Sequence, residues 1–367
     1  MELIRRLRVR DVRCYEDASI TLGDRLTVIY GANGAGKTNL LEALYFGCTG
    51  RSCRTSNDRE FIRFGQGAAR VEFELEGDAG SHTLAVGFEP GQPRHVTADG
   101  GPVDRLVDVP FRPLACVFLP DRLDLIKGAP SLRRDHLDQL VAGLWPARAS
   151  VRRDYGAALA QRNALLSRIR NHGVDPSELD TWDLELGRHA IALRLERERA
   201  VALVGEPAQE IATELGLPGG LELRYRPRST AEDPAAFAAE LLERRSSDLE
   251  RGFTGHGPHR DELLLSREGR ELRVYGSQGE QRVALLSLLL AEREVLAAER
   301  GQTPLLLLDD VMSELDADRR ARLVERITAA GQSVVTTTEL EHVPGGEAAG
   351  VARVTVERGV VGQELAA

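Results

Sequence analysis

Gly31-Ala32-Asn33-Gly34-Ala35-Gly36-Lys37-Thr38 fits the phosphate-binding pattern G-x-x-x-x-G-K-[ST] at every fixed position. Three glycines let the backbone curl until several N–H groups face inward onto phosphate oxygens, and a helix beginning near Lys37 adds the positive end of its dipole. Lys37 is then placed for the β and γ phosphates and the Thr38 hydroxyl for Mg²⁺, with Asn39 next to them. A second group of acids, Asp309 and Asp310, follows Leu305 to Leu308. This is the form of a buried parallel strand delivering carboxylates at its carboxyl end, where α/β folds bind their ligands. Asp309 is expected to hold Mg²⁺ through its shell and Asp310 to polarise the attacking water. Two acids there are costly unless a cation or solvent meets them. A third stretch, Ser277-Gln278-Gly279-Glu280-Gln281, opens a helix. Ser277, Gly279 and Gln281 are candidate γ-phosphate contacts, although a plain N-cap explains the same residues.

These residues need a frame. Leu26 to Tyr30 is a short β-prone run before the glycines, and Asn39 to Phe46 continues as helix, giving the strand, loop, helix order the first motif requires. Val71, Phe73 and Leu75 alternate with Glu72, Glu74 and Glu76, Leu84 to Phe88 follow, and Cys116 to Leu119 is apolar. The first third therefore predicts a half-exposed antiparallel sheet beside the nucleotide loop. From about Ser131 the apolar spacing becomes helical, with long runs over Arg153 to Arg170 and Glu178 to Val204. After Phe253 the α/β texture returns. Strands are expected at Glu262 to Leu265, Glu271 to Tyr275, Leu305 to Leu308 and Ser333 to Thr337, with helices over Gly279 to Glu299 and Asp318 to Ala330. The expected division is an N-terminal part of the nucleotide-binding core over 1–125, a mostly helical lobe over 126–252, and a C-terminal part of the core over 253–367.

Composition narrows the function classes. The chain has 367 residues, 42% hydrophobic and 29% charged, enough for a large core. Four cysteines without a C-x-x-C pair imply neither a disulfide framework nor a zinc site, which suits a reducing cytoplasm. Met1 to Val12 alternates Leu7 and Val9 with Arg6, Arg8 and Arg10, a strand with one wet face rather than a signal peptide, and nothing later reaches the length of a membrane span. A net charge of -9 requires that any nucleic-acid contact come from a local patch.

The order of the motifs resembles the head of ABC-type ATPases: a phosphate loop, an S-x-G-x-Q helix start, then an acidic strand followed by Ser313-Glu314-Leu315-Asp316. That resemblance implies an α/β fold, a P-loop core with an antiparallel β subdomain, plus an inserted helical lobe. It also implies a head-to-tail homodimer in which Ser277 of one chain closes over ATP held by the other. More specifically, Gly36 to Ala43, Gly50-Arg51-Ser52 with Arg54-Thr55, Gly257-Pro258-His259-Arg260-Asp261, Tyr275, Ser277-Gln278-Gly279 and Asp309-Asp310-Val311 together resemble the RecF family of DNA recombination and repair. Pro120 and Gly128 to Asp138 fit the same pattern. Glu262, Glu280 and Cys14 depart from it mildly, and Thr336-Thr337-Thr338 stands where many ABC-type ATPases carry a switch histidine. The resemblance implies Lys37, Ser277 and Asp310 as catalytic groups, slow ATP hydrolysis with Mg²⁺, DNA at gaps as ligand, RecR and RecO as partners, and assistance to RecA loading.

DNA contact needs its own support. Lys127 to Gly173 holds nine basic residues against three acids, among them Arg133, Arg134, Arg148, Arg152 and Arg153. Arg6, Arg8 and Arg10 form a second candidate. Arginine suits phosphate by its planar fork, though each of these could instead pair with the surplus acids. The Gly257 to Asp261 stretch reads either as a rigid loop or as a nucleotide-sensing or DNA-facing one. Two rivals are the ATPase subunit of a membrane transporter, which usually carries Asp-Glu at 309–310, and a structural SMC-type protein, which would need long heptad arms that are missing here.

Overall fold

The computed structural model describes residues 2–78, 80–173 and 175–364. The chain opens with β1 (Leu3–Val12), β2 (Tyr15–Thr21), β3 (Leu26–Tyr30) and α1 (Lys37–Thr49). Strands β4 (Ala69–Gly77), β5 (Gly80–Phe88), β6 (His95–Ala98), β7 (Gly101–Val103) and β8 (Ala115–Phe118) follow. Next come α2 (Asp124–Lys127), α3 (Pro130–Leu144), α4 (Val151–His172), α5 (Leu179–Glu214), β9 (Glu222–Arg226) and α6 (Pro234–Arg251). The chain continues through β10 (Glu262–Arg267), β11 (Arg270–Glu271), α7 (Leu272–Tyr275) and α8 (Gln278–Arg300). It ends with β12 (Leu305–Leu308), α9 (Ala317–Ala329), β13 (Ser333–Thr337), β14 (Ala352–Glu357) and β15 (Val360–Glu364).

Two compact units result, one of Met1–Arg122, Glu214–Gly216 and Leu296–Ala367, the other of Leu123–Thr213 and Leu217–Val295. Packing thus puts 253–295, with Ser277, in the same unit as the helices, whereas the chemical texture of the sequence suggested a break at 252.

The first unit holds two six-stranded sheets, ordered β2-β1-β4-β5-β6-β7 and β15-β14-β3-β13-β12-β8. The first is antiparallel, and its alternation works as the sequence predicts: Val71, Phe73 and Leu75 are buried while Arg70 and Glu74 face water. In the second, β3 lies between β13 and β14, and β12 lies between β13 and β8, all four pairings parallel. Leu305 to Leu308 are all buried, as a strand flanked on both edges in a parallel sheet requires. Because β3, β13 and β12 are neighbours running one way, their carboxyl ends emerge side by side, where the ligands of such sheets bind. Helix α1 buries Leu40, Leu41, Leu44 and Phe46 in one core with the inner faces of both sheets.

The second unit is built from α3, α4, α5, α6 and most of α8, with a small sheet ordered β11-β10-β9. Three elements differ from expectation. The strand expected over 271–275 is only β11 and then one helical turn, because Gln281 Nε2 donates to Leu272 O (2.7 Å) and Gly276 O (3.1 Å) and winds the backbone there. Helix α5 runs past Val204 to Glu214 with Pro207 inside it. The buried row Val204, Ala208, Ile211, Ala212 offsets the lost hydrogen bond. Strand β9 lies within the stretch expected to be mostly helical.

Candidate nucleotide site

Gly31 (φ 151°) and Gly36 (φ 121°) adopt backbone conformations that a side chain resists. A Cβ at Gly31 would stand 2.2 Å from Val356 O, and one at Gly36 2.7 Å from the Tyr15 hydroxyl, so the cradle exists only with glycine at both positions. The Lys37 ammonium lies in its mouth, donating to Gly31 O (2.7 Å) and Ala32 O (3.0 Å). Burial lowers the Lys37 pKa, and the charges of Asp310 and Asp309 oppose that shift.

From the end of β12, Asp309 meets the loop. The Thr38 hydroxyl lies 3.0 Å from both of its carboxylate oxygens, across 271 positions of sequence. Thr336, fully buried in β13, donates to Asp309 Oδ1 at 2.6 Å and accepts from the Asp310 N–H at 3.0 Å. Burial pushes the Asp309 carboxyl above its usual range, while the Thr336 and Thr38 hydroxyls pull it back. Asp310 adopts φ 48°, and its buried Oδ1 has no hydrogen-bond partner among the described residues. Such an orphaned oxygen is costly unless a donor or cation meets it. Hard oxygen ligands from a hydroxyl and a carboxylate suit Mg²⁺, which is held by one or two carboxylates plus substrate phosphates. The residues present therefore fit a nucleotide triphosphate and its Mg²⁺.

Around this centre, Glu42 of α1 is completely buried, and Arg13 grips it through two bonds of 2.7 and 2.8 Å. Ser52 Oγ donates to it at 2.5 Å, and Arg54 Nη1 reaches both Glu42 (3.4 Å) and Asn39 Oδ1 (3.0 Å). The Gly50 to Thr55 motif is thus fastened to the helix that follows the phosphate loop.

Ser277 and Glu280 form a reciprocal capping box: Ser277 N donates to Glu280 Oε2 (2.7 Å) and Glu280 N to Ser277 Oγ (3.3 Å). Glu280 also pairs with Arg267. Ser277 stays exposed, and a Cβ on Gly279 would meet nothing. Gln281 is buried beside them, its Nε2 donating to the α7 backbone while its Oε1 has no hydrogen-bond partner among the described residues.

The expected DNA arginines fare differently. Arg133 is 4% exposed, bonded to Glu262 (2.7 Å) and to the carbonyls of Leu125, Ile126 and Gly128, so its guanidinium is engaged inside the fold. Arg134 donates to Asp261 O at 2.9 Å, Arg148 pairs with Glu196, and Arg152 with Asp138 at 2.9 Å. Arg153 alone of the five stays 80% exposed, with the adjacent Asp154 at 3.5 Å. In β1, Arg6 and Arg8 are paired with Glu74 and Asp17. Charge counting along the sequence missed these partners because most of them come from other strands and helices.

The Gly257 to Asp261 turn is a buried hub. His259 Nε2 donates to Thr254 O (2.9 Å) and the Tyr155 hydroxyl donates to Nδ1 (2.6 Å), which fixes a neutral imidazole. Arg197 bridges Asp138, Pro258 O (2.8 Å) and Asp261. Of the two readings of this stretch, the rigid loop matches its interior.

A phosphate loop after β3, an acid after β12, a helical unit that starts its last long helix at an S-x-G motif and an antiparallel sheet define an ABC-type ATPase head. Residues 6–99 match the family model described as an AAA domain. The chain is 40% identical over 369 residues to the DNA replication and repair protein RecF of Anaeromyxobacter sp., covering 97% of each chain, and 38% identical over 344 residues to that of Myxococcus xanthus. It belongs to the RecF family. A solved structure of the recombination mediator protein RecF-ATP in the RecFOR pathway superposes with a TM-score of 0.86 at 25% identity, covering 99% of this chain and 98% of that one. An Smc head domain derived from Pyrococcus furiosus, at 18% identity and TM-score 0.58, shares the fold.

Proposed function

We propose that this chain is an ATP-dependent DNA-binding protein of recombinational repair and replication, and a weak, DNA-stimulated ATPase. The observation that carries the reading is the meeting of Thr38 with both oxygens of Asp309 at 3.0 Å, beside the Lys37 ammonium. Gly31 to Thr38, with Asn39, would hold the ATP phosphates, and Thr38 with Asp309 would hold Mg²⁺, which supplies charge neutralisation on the phosphate oxygens. Asp310, placed by Thr336, orients the attacking water, and its side chain is shorter than a glutamate, in keeping with slow turnover. Ser277, exposed at the start of α8, faces the nucleotide of a second copy in an ATP-driven homodimer. Hydrolysis releases the dimer and its DNA. Gapped or single-strand/duplex junction DNA is the ligand, with RecR and RecO as partners and RecA loading as the outcome. Among the described residues no helix is long and apolar enough to cross a membrane.

The test is binding to a gapped duplex at several salt concentrations, with and without ATP and Mg²⁺, beside Lys37→Met. ATP-dependent, salt-sensitive binding that is lost in the variant is the expected result. Binding by neither protein under any nucleotide would leave an ATPase and remove the DNA role.

A further inference from the structure

The arginines clustered over 127–173 are largely paired with acids, whereas a second set in the same unit is not. Strand β9 is the edge of the small sheet in the second unit, and its residues alternate in exposure. Leu223 and Tyr225 face Leu265 and Leu263 of β10, which are buried, while Arg224 and Arg226 are exposed. Arg228 continues the same alternation beyond the strand end. Alternate residues on a strand lie about 6.7 Å apart, so three guanidinium groups form one row.

Among the described residues, no carboxylate lies within ion-pair distance of Arg224, Arg226 or Arg228. Glu262, opposite Arg226 in the ladder, is committed to the buried Arg133. Glu222, at the start of the row, takes the Ser266 hydroxyl at 3.4 Å. Arg260 is exposed beside them, its carbonyl accepting from Arg228 Nε at 3.3 Å and its guanidinium 5.7 Å over the Phe253 ring. A row of one sign also hinders edge-to-edge pairing of the sheet, since like charges on two such edges repel. In a protein of net charge -9 this row is a local positive surface, which attracts a polyanion.

The Gly257 to Asp261 hub explains how the row is held. Asp261, 1% exposed, accepts the Arg228 backbone N–H at 2.7 Å through Oδ1 and the Tyr225 hydroxyl through Oδ2. Both bonds fix the end of β9 in place, and the turn presents Arg260 next to Arg228. The loop interior is rigid so that its margin can display charge.

We infer that Arg224, Arg226, Arg228 and Arg260 form a docking stripe for the phosphate backbone of DNA, positioned by Asp261. The inference rests on the DNA-binding reading above and names the surface that does the binding. Contacts of this kind fix position without reading sequence and make binding salt dependent.

The experiment compares wild type, the triple variant Arg224→Gln, Arg226→Gln, Arg228→Gln, and the control Arg152→Gln in binding a gapped duplex with ATP and Mg²⁺ between 50 and 200 mM salt. Each lost phosphate contact lowers the slope of log affinity against log salt by about 0.9, so the triple variant should lose about 2.7. Its deficit against wild type should shrink about 40-fold across that range, while the control keeps the wild-type slope. Nucleotide binding and thermal unfolding of the triple variant should match wild type, since no buried acid loses its partner. A wild-type slope in the triple variant overturns the stripe alone. The same slope with weakened ATP-driven dimers would assign these arginines to a second copy instead, also overturning it. Wild type that binds no DNA removes the stripe together with the reading beneath it.

Discussion

Thr336→Val removes one hydroxyl from a fully buried strand position that a β-branched residue fits, so the backbone and volume are retained. Two bonds go with it. The first is the 2.6 Å bond to Asp309, and hydrogen bonds to charged groups contribute about 1.5–3 kcal/mol. The second is the 3.0 Å bond that satisfies the Asp310 N–H, whose orphaning costs about 1–3 kcal/mol. That N–H belongs to a residue at φ 48°, a conformation that persists only where its surroundings hold it. If about 2 kcal/mol of this orientation is expressed at the hydrolytic step, turnover falls about 30-fold. ATP affinity, which depends on Gly31 to Lys37, should change little. Thr336→Ser keeps the hydroxyl and should recover most of the rate. The assay is single-turnover hydrolysis alongside nucleotide binding, with Mg²⁺ titrated in each protein. Turnover by Thr336→Val within twofold of wild type, or equal impairment of the serine variant, would refute the assignment of Thr336 as the residue that positions both acids.

The half-buried imidazole of His259 is pushed down to about 4, chiefly by burial, so the folded protein keeps it neutral where an unfolded chain would protonate it. The unfolded state binds the extra proton between pH 6.5 and 4. The His259 contribution is therefore complete above pH 6.5 and is lost as pH falls, on the order of 3 kcal/mol in all. Urea unfolding followed by tryptophan fluorescence should show that decline in wild type and a flatter profile in His259→Gln; parallel profiles would count against it. Ser277→Arg removes an N-cap, a loss of about 1 kcal/mol, and places a bulky cation at an exposed helix start. Monomeric ATP binding should survive while ATP-driven dimers disappear in sedimentation, and dimers of normal strength would contradict the trans role of Ser277.

Much of the site was legible because it is local. The phosphate loop, the four leucines before Asp309 and the Ser277 helix start are short continuous stretches whose chemistry is set by neighbours in sequence. Thr336 was noticed only as the occupant of a switch position. Its bonds to Asp309 and Asp310 depend on β13 lying between β3 and β12, an order that no local pattern specifies. The bonds of Gln281 Nε2 to the carbonyls at 272 and 276 were illegible for the same reason, since a one-turn helix turns those carbonyls toward it.

The arginines show the division most clearly. Sequence alone determined that this chain holds a P-loop, an acidic strand end and an acid surplus, because residue types and spacing encode those directly. Only the tertiary structure decided which cations remain available. Arg133, Arg148 and Arg152 meet Glu262, Glu196 and Asp138, two of them far along the chain, whereas the alternation of β9 leaves Arg224 and Arg226 facing water without an ion pair among the described residues. A charge is neutralised by what folding brings within about 4 Å of it, and that distance is unrelated to separation along the sequence.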